Sequence, residues 1–263
     1  MVDLGLVGYP LGHSFSPGWF GRKFEAEGVE GSYRLFPLEN IGELPDMLDA
    51  NPSLAGFNVT VPYKEAILPF LDEVTPEAEA IGAVNTVRIE RQDGGRRLIG
   101  YNTDYIGFSE SLIPLVNMLS GLVNVTNPGA LILGTGGAAK AVAYGLVSLG
   151  IRFTAVSRTP DMPNAFSADG HKVIGYGDIT PSLLAANHII VNCTPLGMWP
   201  RTEGCPALPW DSLPASSLCY DLVYNPAVTE FMRIAAERGA TVKNGLEMLH
   251  RQAEAAWRIW RQK

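Results

Sequence analysis

The sequence predicts an α/β protein, and three observations carry that expectation. Short apolar runs alternate with stretches of helical periodicity along almost the whole chain, the pattern of β-α-β units on a mostly parallel sheet. A glycine turn, Gly134-Thr135-Gly136-Gly137, stands between an apolar run and a helical stretch. Polar clusters recur where the predicted strands end, which is where open α/β sheets take up ligands.

In the first part of the chain, Leu4–Val7, Tyr33–Phe36, Leu54–Val59, Val84–Ile89 and Leu98–Tyr101 read as strands. Helical patterns fall at Gly18–Glu27, Ile41–Ala50 and Tyr63–Leu71. Gln92-Asp93-Gly94-Gly95 reads as a hairpin turn that makes the last two strands an antiparallel pair. A helix follows Asp104 to about Leu119. The polar, Pro- and Gly-bearing stretch Ser120–Gly129 is a candidate connection. A second alternating series begins with strand Ala130–Leu133, helix Gly137–Leu149 and strand Arg152–Val156. It continues with strands Ile189–Asn192 and Leu218–Leu222, helix Thr229–Arg238 and strand Thr241–Lys243. Leu246, Leu249, Ala253, Trp257 and Trp260 then fall at helical spacing, which reads as an amphipathic helix whose tryptophans are either core anchors or part of an interface, the stripe favouring the core.

Length and composition bound the function. The 263 residues fit two domains better than one large one. Lys and Arg number 20 against 27 Asp and Glu, a formal net charge of −7, with no basic cluster to bind nucleic acid. With 46% apolar residues the chain can bury enough surface to fold. Cys193, Cys205 and Cys219 are widely spaced, and the four histidines form no ligand pair, so neither a metal site nor a disulfide framework is expected. No basic leader with an apolar core and no long apolar span is visible. These features predict a soluble cytoplasmic protein acting on a small molecule, with no nucleic-acid or membrane partner.

The glycine turn predicts a nucleotide site. Glycines there let the backbone approach a pyrophosphate, and the following helix offers free N–H groups and its positive dipole end. The pattern is G-x-G-G-A-A, with Ala139 where the third glycine usually stands. At the end of the next strand an NAD site would place Asp or Glu on the ribose 2′-hydroxyl. Here Ser157, Arg158 and Thr159 stand instead, and a guanidinium with two hydroxyls suits a 2′-phosphate. NADP is therefore favoured over NAD.

Five polar clusters follow predicted strands. In Gly8–Pro17, Ser16 before Pro17 reads as a helix cap, while Ser14 adds a second hydroxyl for a carboxylate at that N-terminus. In Gly56–Lys64, Asn58 and Thr60 share a strand face. Lys64 falls in a first helical turn, where the macrodipole disfavours it, so a site role or a plain surface lysine remain as readings. Gly82–Thr86 and Gly100–Asp104 can converge across the strand pair; Asp104 alone reads as an N-cap. Asn192–Met198 ends a strand of the second series as a turn, with Cys193 as a small buried residue.

Together with Asp221–Pro226 and Gly245–Leu249, these stretches resemble the shikimate dehydrogenase family over essentially the whole chain. The resemblance implies two α/β domains flanking a cleft. Residues 1–104 with 244–263 would form an N-terminal substrate domain, and 105–243 a Rossmann-like nucleotide-binding domain. It implies reversible NADPH-dependent reduction of 3-dehydroshikimate to shikimate, in the chorismate and aromatic amino-acid pathway. By motif, Ser14, Ser16 and Tyr224 would hold the carboxylate, and Thr60, Asn85 and Gln252 the hydroxyls or ring. Lys64 and Asp104 would be the catalytic pair. Gly134, Thr135, Gly136, Gly137, Ala138, Ser157, Arg158, Thr159 and Thr194 would hold the cofactor, with Leu222 and Gly245 near the nicotinamide.

The residue types suit the chemistry independently. Ketone reduction needs a hydride donor, a proton donor and a hydrogen bond to the developing alkoxide. Lys64 can supply the proton and stabilise the negative oxygen, and Asp104 can orient Lys64 and a substrate hydroxyl; the residue types leave open which of the two moves the proton, since such a pair can titrate as a unit. The sequence holds no Tyr-x-x-x-Lys and no zinc-ligand spacing, which argues against the short-chain dehydrogenase arrangement and against zinc-dependent hydride transfer. Two departures from the family stand out. Tyr105 follows Asp104 where Gly is frequent, a ring able to narrow the cleft entrance. Asp161 and Met162 stand where a second basic residue often follows Arg158. A quinate/shikimate enzyme using NAD or both cofactors, and a non-catalytic ligand sensor on the same fold, are the alternatives. Monomer and homodimer are equally open.

Overall fold

Apolar strands punctuated by turns build two separate sheets. The computed structural model describes residues 1–12, 14–92, 95–123 and 128–262. The first elements are β1 (Val2–Gly8), α1 (Ser16–Glu27), β2 (Gly31–Pro37), α2 (Leu44–Asp49), β3 (Leu54–Val59), β4 (Glu73–Val74), α3 (Pro76–Ile81), β5 (Thr86–Gln92) and β6 (Gly95–Tyr101). Then come α4 (Asp104–Val123), β7 (Ala130–Leu133), α5 (Gly137–Ser148), β8 (Phe153–Ser157), α6 (Ala165–Ala168), β9 (Val173–Gly175), α7 (Pro181–Ala186), β10 (Ile189–Asn192), β11 (Leu218–Asp221), α8 (Glu230–Glu237), β12 (Thr241–Lys243) and α9 (Leu246–Arg261).

The chain divides into two compact units, Met1–Thr103 with Ala253–Lys263, and Asp104–Gln252. Asp104 and residues 244–252 thus belong with the second unit, whereas the sequence places them with the first. Local packing accounts for this: α4 meets α9 at Gly107, where a Cβ would lie 2.5 Å from the Met248 carbonyl oxygen and 2.9 Å from the Gln252 nitrogen.

The first unit holds a mixed sheet in the order β2-β1-β3-β5-β6-β4. β1 runs parallel to β2 and β3, and β5 pairs antiparallel with β6 as expected. Of that hairpin's turn, Asp93 and Gly94 lie outside the described residues. One core joins Val7, Leu54, Phe57, Val84 and Val87; the other joins Leu4, Phe20 and Phe24 to Trp257 and Trp260. The Trp260 indole donates to the Val87 carbonyl at 2.9 Å, so both tryptophans are core anchors.

One expected helix is absent. Tyr63–Leu71 forms a single α-like turn, closed by the Ile67 N–H on the Tyr63 carbonyl, and then a 3₁₀ turn at Leu68–Phe70. Pro69 lacks an N–H and its ring clashes with the carbonyl four residues back, which ends the helix.

The second unit holds six parallel strands in the order β12-β11-β10-β7-β8-β9. The chain leaves β7 towards β8 on one side and later returns to β10 on the other. The carboxyl ends of β7 and β10 are therefore a topological switch point, the ligand-binding crevice of doubly wound sheets. Helix α4 runs to Val123, four residues past its expected end. A glycine such as Gly121 costs only about 1 kcal/mol in a helix, too little to stop a long one. Of the expected connection, residues 124–127 lie outside the described residues. Among the described residues, no helix is long and apolar enough to cross a membrane and no His, Cys, Asp or Glu cluster could hold a metal ion.

Candidate active site

In the first unit the polar clusters gather at the carboxyl ends of β1 and β3. The Thr60 N–H bonds the Val7 carbonyl at 2.9 Å, and the Tyr9 N–H bonds that of Val61 at 3.2 Å. Ser16 is the first helical residue of α1 rather than its cap; that place falls to Phe15, which supplies no side-chain bond. Ser14 Oγ instead accepts the Ser16 N–H at 3.3 Å. Burial drives the pKa of the neighbouring Tyr33 hydroxyl upward. Tyr33 in turn donates to Asn58 Oδ1 at 2.7 Å. Both serines and Thr60 are half-buried.

Beneath them lies a buried amide and hydroxyl network. Asn58 Nδ2 donates to Thr86 Oγ1 at 3.0 Å and to the Asn85 carbonyl at 3.2 Å. Asn85 Nδ2 donates to Thr103 Oγ1 at 3.0 Å, and its Oδ1 accepts the Thr103 N–H at 2.7 Å. Asn102 Nδ2 donates to the Ala83 carbonyl at 2.9 Å. The two clusters expected to converge across β5 and β6 do so. Lys64 sits half-buried in a turn, not at a helix start, so no macrodipole opposes it. Its carbonyl accepts the Val84 N–H at 2.7 Å, which ties the lysine's backbone to the Asn85 segment.

In the second unit Asp104 is the first helical residue of α4 rather than a cap, and it is buried. Gln252 donates to the Leu249 carbonyl at 3.0 Å and packs over Gly107, one turn along α4 from Asp104. The Tyr105 ring stacks edge-on against Tyr144 with centroids 5.0 Å apart, so it braces α4 on α5.

The glycine turn lies at the β7–β10 switch point. Gly134 has φ 110°, a conformation L side chains rarely adopt, and a Cβ there would press on Thr194 Cγ2 at 3.3 Å. Gly136 is the N-cap of α5, with no side chain to cap it and open space where a Cβ would stand. An uncapped twelve-residue helix behind an open glycine fits a pyrophosphate. At the end of β8, Ser157 is buried and accepts the Thr159 N–H at 3.1 Å, while Arg158 is exposed.

Thr194 follows β10, with its N–H and hydroxyl on Asn192 Oδ1 at 3.0 and 2.7 Å. Gly245 backs directly onto the Leu222 carbonyl, and its N–H bonds the Val223 carbonyl at 3.1 Å. Tyr224 is exposed on the loop after β11. Burial, and then the Asp221 carboxylate, push the Cys193 thiol well above its usual range, so it is an inert neighbour of the site.

Residues 6–87 match the shikimate dehydrogenase substrate binding domain. The chain is 40% identical to the NADP(+) shikimate dehydrogenase of Carboxydothermus hydrogenoformans, covering 97% of this chain and 90% of the relative. The chain belongs to the shikimate dehydrogenase family. Among solved structures, a Thermus thermophilus shikimate 5-dehydrogenase, in complex with NADP(H) and shikimate, superposes with a TM-score of 0.84 at 35% identity, covering 99% and 94% of the two chains. A quinate dehydrogenase from Corynebacterium glutamicum, in complex with NAD, reaches 0.83 at 32% identity, with 99% and 93% covered.

For this shikimate dehydrogenase family member, sequence reasoning named the glycine turn and the strand-end hydroxyls but missed what supports them. Tyr33, Thr86 and Thr103 hold the first unit's polar floor; Thr229 and Asp221 anchor the loops of the second. Asp221 was visible as part of a motif, but its partners come from distant segments and carried no local signal.

Proposed function

We propose that the chain catalyses the reversible, NADPH-dependent reduction of 3-dehydroshikimate to shikimate in aromatic biosynthesis. The observation that carries this reading is the match along 97% of the chain to an enzyme named NADP(+) shikimate dehydrogenase. When bound, NADPH supplies the hydride, and the residues at the glycine turn fit its pyrophosphate.

In the first unit, Ser14 and Ser16 bind the substrate carboxylate, Thr60 and Asn85 bind ring hydroxyls, and Lys64 donates the proton and stabilises the developing alkoxide. In the second, Asp104 accepts a hydrogen bond from a substrate hydroxyl, and Gln252 and Tyr224 complete substrate binding. Gly134–Ala138 cradle the pyrophosphate, Ser157, Arg158 and Thr159 the 2′-phosphate, and Thr194, Leu222 and Gly245 serve the nicotinamide end. The same reading makes this a cytoplasmic enzyme, monomeric or homodimeric, with a small-molecule substrate and neither nucleic acid nor membrane as partner.

Removing a positioned general acid costs about 10²–10⁴-fold in rate. Lys64→Ala should therefore lower kcat for shikimate oxidation by that order with only a modest change in KM. Near-normal kcat in this variant would remove Lys64 from the mechanism. A second reading, quinate turnover with NAD, is favoured by the NAD-bound quinate dehydrogenase neighbour and by Asp161 and Met162 after Arg158. Comparing kcat/KM for shikimate and quinate with each cofactor decides between them; equal or better quinate turnover with NAD sinks the first reading. Shikimate binding without turnover would instead identify a ligand sensor.

A further inference from the structure

The carboxyl edge of the second sheet holds an ionisable group that the proposed chemistry does not use. Asp221, the last residue of β11, is wholly buried. Its Oδ1 accepts from Asn192 Nδ2 and from the Val223 N–H, each at 3.0 Å, and its Oδ2 accepts from Thr229 Oγ1 at 2.5 Å. Asn192, equally buried at the end of β10, orients Thr194 through two bonds of its own. One carboxylate thus ties the loop after β10 to two points of the loop after β11.

Among the described residues, the hydrogen-bond partners of Asp221 are all neutral. A buried carboxylate without a counter-ion is a poor stabilising device, since taking an unpaired charge out of water is costly. What the carboxylate does, and an apolar side chain cannot, is fix three donors from separate segments in one arrangement. The loops it fixes carry Thr194, Leu222 and Tyr224.

We infer that Asp221 is a positioning residue, which holds the 192–194 and 222–229 segments so that Thr194, Leu222 and Tyr224 are presented to the ligands in one fixed arrangement. The inference rests on the proposed function. It separates two ends of the cofactor site. The nicotinamide end depends on Asp221, and the adenosine end, at Ser157–Thr159 after β8, does not.

The test compares the full-length wild type with Asp221→Leu and Asp221→Asn. Each is assayed for shikimate oxidation with NADP⁺ and for binding of adenosine 2′,5′-bisphosphate, which probes the adenosine end alone. Misplacing groups around a reacting centre by about 1 Å can cost on the order of 10²-fold, so Asp221→Leu should lower kcat about tenfold to a hundredfold and raise KM for shikimate. Its bisphosphate Kd should stay within about twofold of wild type. Asp221→Asn keeps an oxygen for Asn192 and Val223 and should recover kcat to within about threefold. Where Asp221→Leu does not fold, Thr229→Val carries the test; it removes one donor at nearly constant volume and should lower kcat severalfold with bisphosphate binding retained. Unchanged kcat and KM in the folded variants overturn the inference, as does bisphosphate affinity lost in parallel with kcat. A wild type that does not oxidise shikimate overturns the functional reading itself, and is seen before any variant is made.

Discussion

Burial pushes the Asp221 carboxyl from 3.8 up to about 6, against hydrogen bonds from Thr229, Val223 and Asn192 that pull it down. Between about pH 4 and 6 the folded chain therefore holds more proton here than the unfolded chain, and this residue's contribution to stability falls as pH rises. At about 1.4 kcal/mol per pKa unit the loss is on the order of 3 kcal/mol, complete above the folded pKa. Asparagine does not titrate, so the stability of Asp221→Asn relative to wild type should rise by that order between pH 4 and 7. Denaturant melts at each pH check this, and a constant offset would refute it. Asp3 behaves oppositely. Burial raises its pKa, but hydrogen bonds from Ser32 and Ser53 and the Arg34 guanidinium outweigh that and hold it below 3.8. Its stabilisation is present above the unfolded value and is lost as pH falls through the lowered folded one.

At the scale of elements, α4 is fitted to its neighbours by small residues. Any side chain at Gly107 must move α9 away along the turn that carries Gln252. Overpacking of this kind costs about 1–3 kcal/mol, so Gly107→Ala should lower the denaturation midpoint accordingly. It should also raise KM for shikimate more than KM for NADP⁺, because Gln252 is assigned to substrate. A wild-type midpoint and unchanged KM would show that α9 is not held at this distance. Gly107 carries no signal in the sequence, since its neighbour lies more than 140 residues away. The glycine turn was legible because its strand, turn and helix are consecutive, and each announces itself by local pattern. β4, β9, α6 and α7 were not, being two to six residues long and too short to show a period. α3 could have been found: Thr75-Pro76 opens it and Gly82, with φ 68°, closes it. Pro69 was equally visible as the breaker of the expected 63–71 helix. The Asn58, Asn85, Thr86 and Thr103 network had no local signature, because only the sheet brings those segments together.

For the whole molecule, a net charge of −7 sets a general repulsion against two anionic ligands, so recognition of the cofactor must come from local groups. Under the proposed function, those in the second unit are the α5 N-terminus and, for the 2′-phosphate, Arg158. Asp161 and Met162 follow where another cation would strengthen the site. On that proposal, NADP preference rests on one exposed guanidinium supported by the Ser157 and Thr159 hydroxyls. A charge-assisted hydrogen bond contributes about 1.5–3 kcal/mol, or roughly ten- to a hundredfold in Kd. Ligand at about 100 times its Kd stabilises the folded state by about 2.7 kcal/mol, and 1 kcal/mol moves Tm by about 2–4 °C for a chain near this size. At equal concentration NADP⁺ should therefore raise Tm several degrees more than NAD⁺. Arg158→Ala should remove that difference by weakening NADP⁺ while leaving NAD⁺ binding and the ligand-free Tm unchanged, since the side chain is exposed and pairs with no carboxylate among the described residues. Thermal melts of both proteins with each cofactor decide it. If Arg158→Ala keeps the full NADP⁺ advantage, the 2′-phosphate is read elsewhere, and Arg158 is an ordinary surface charge.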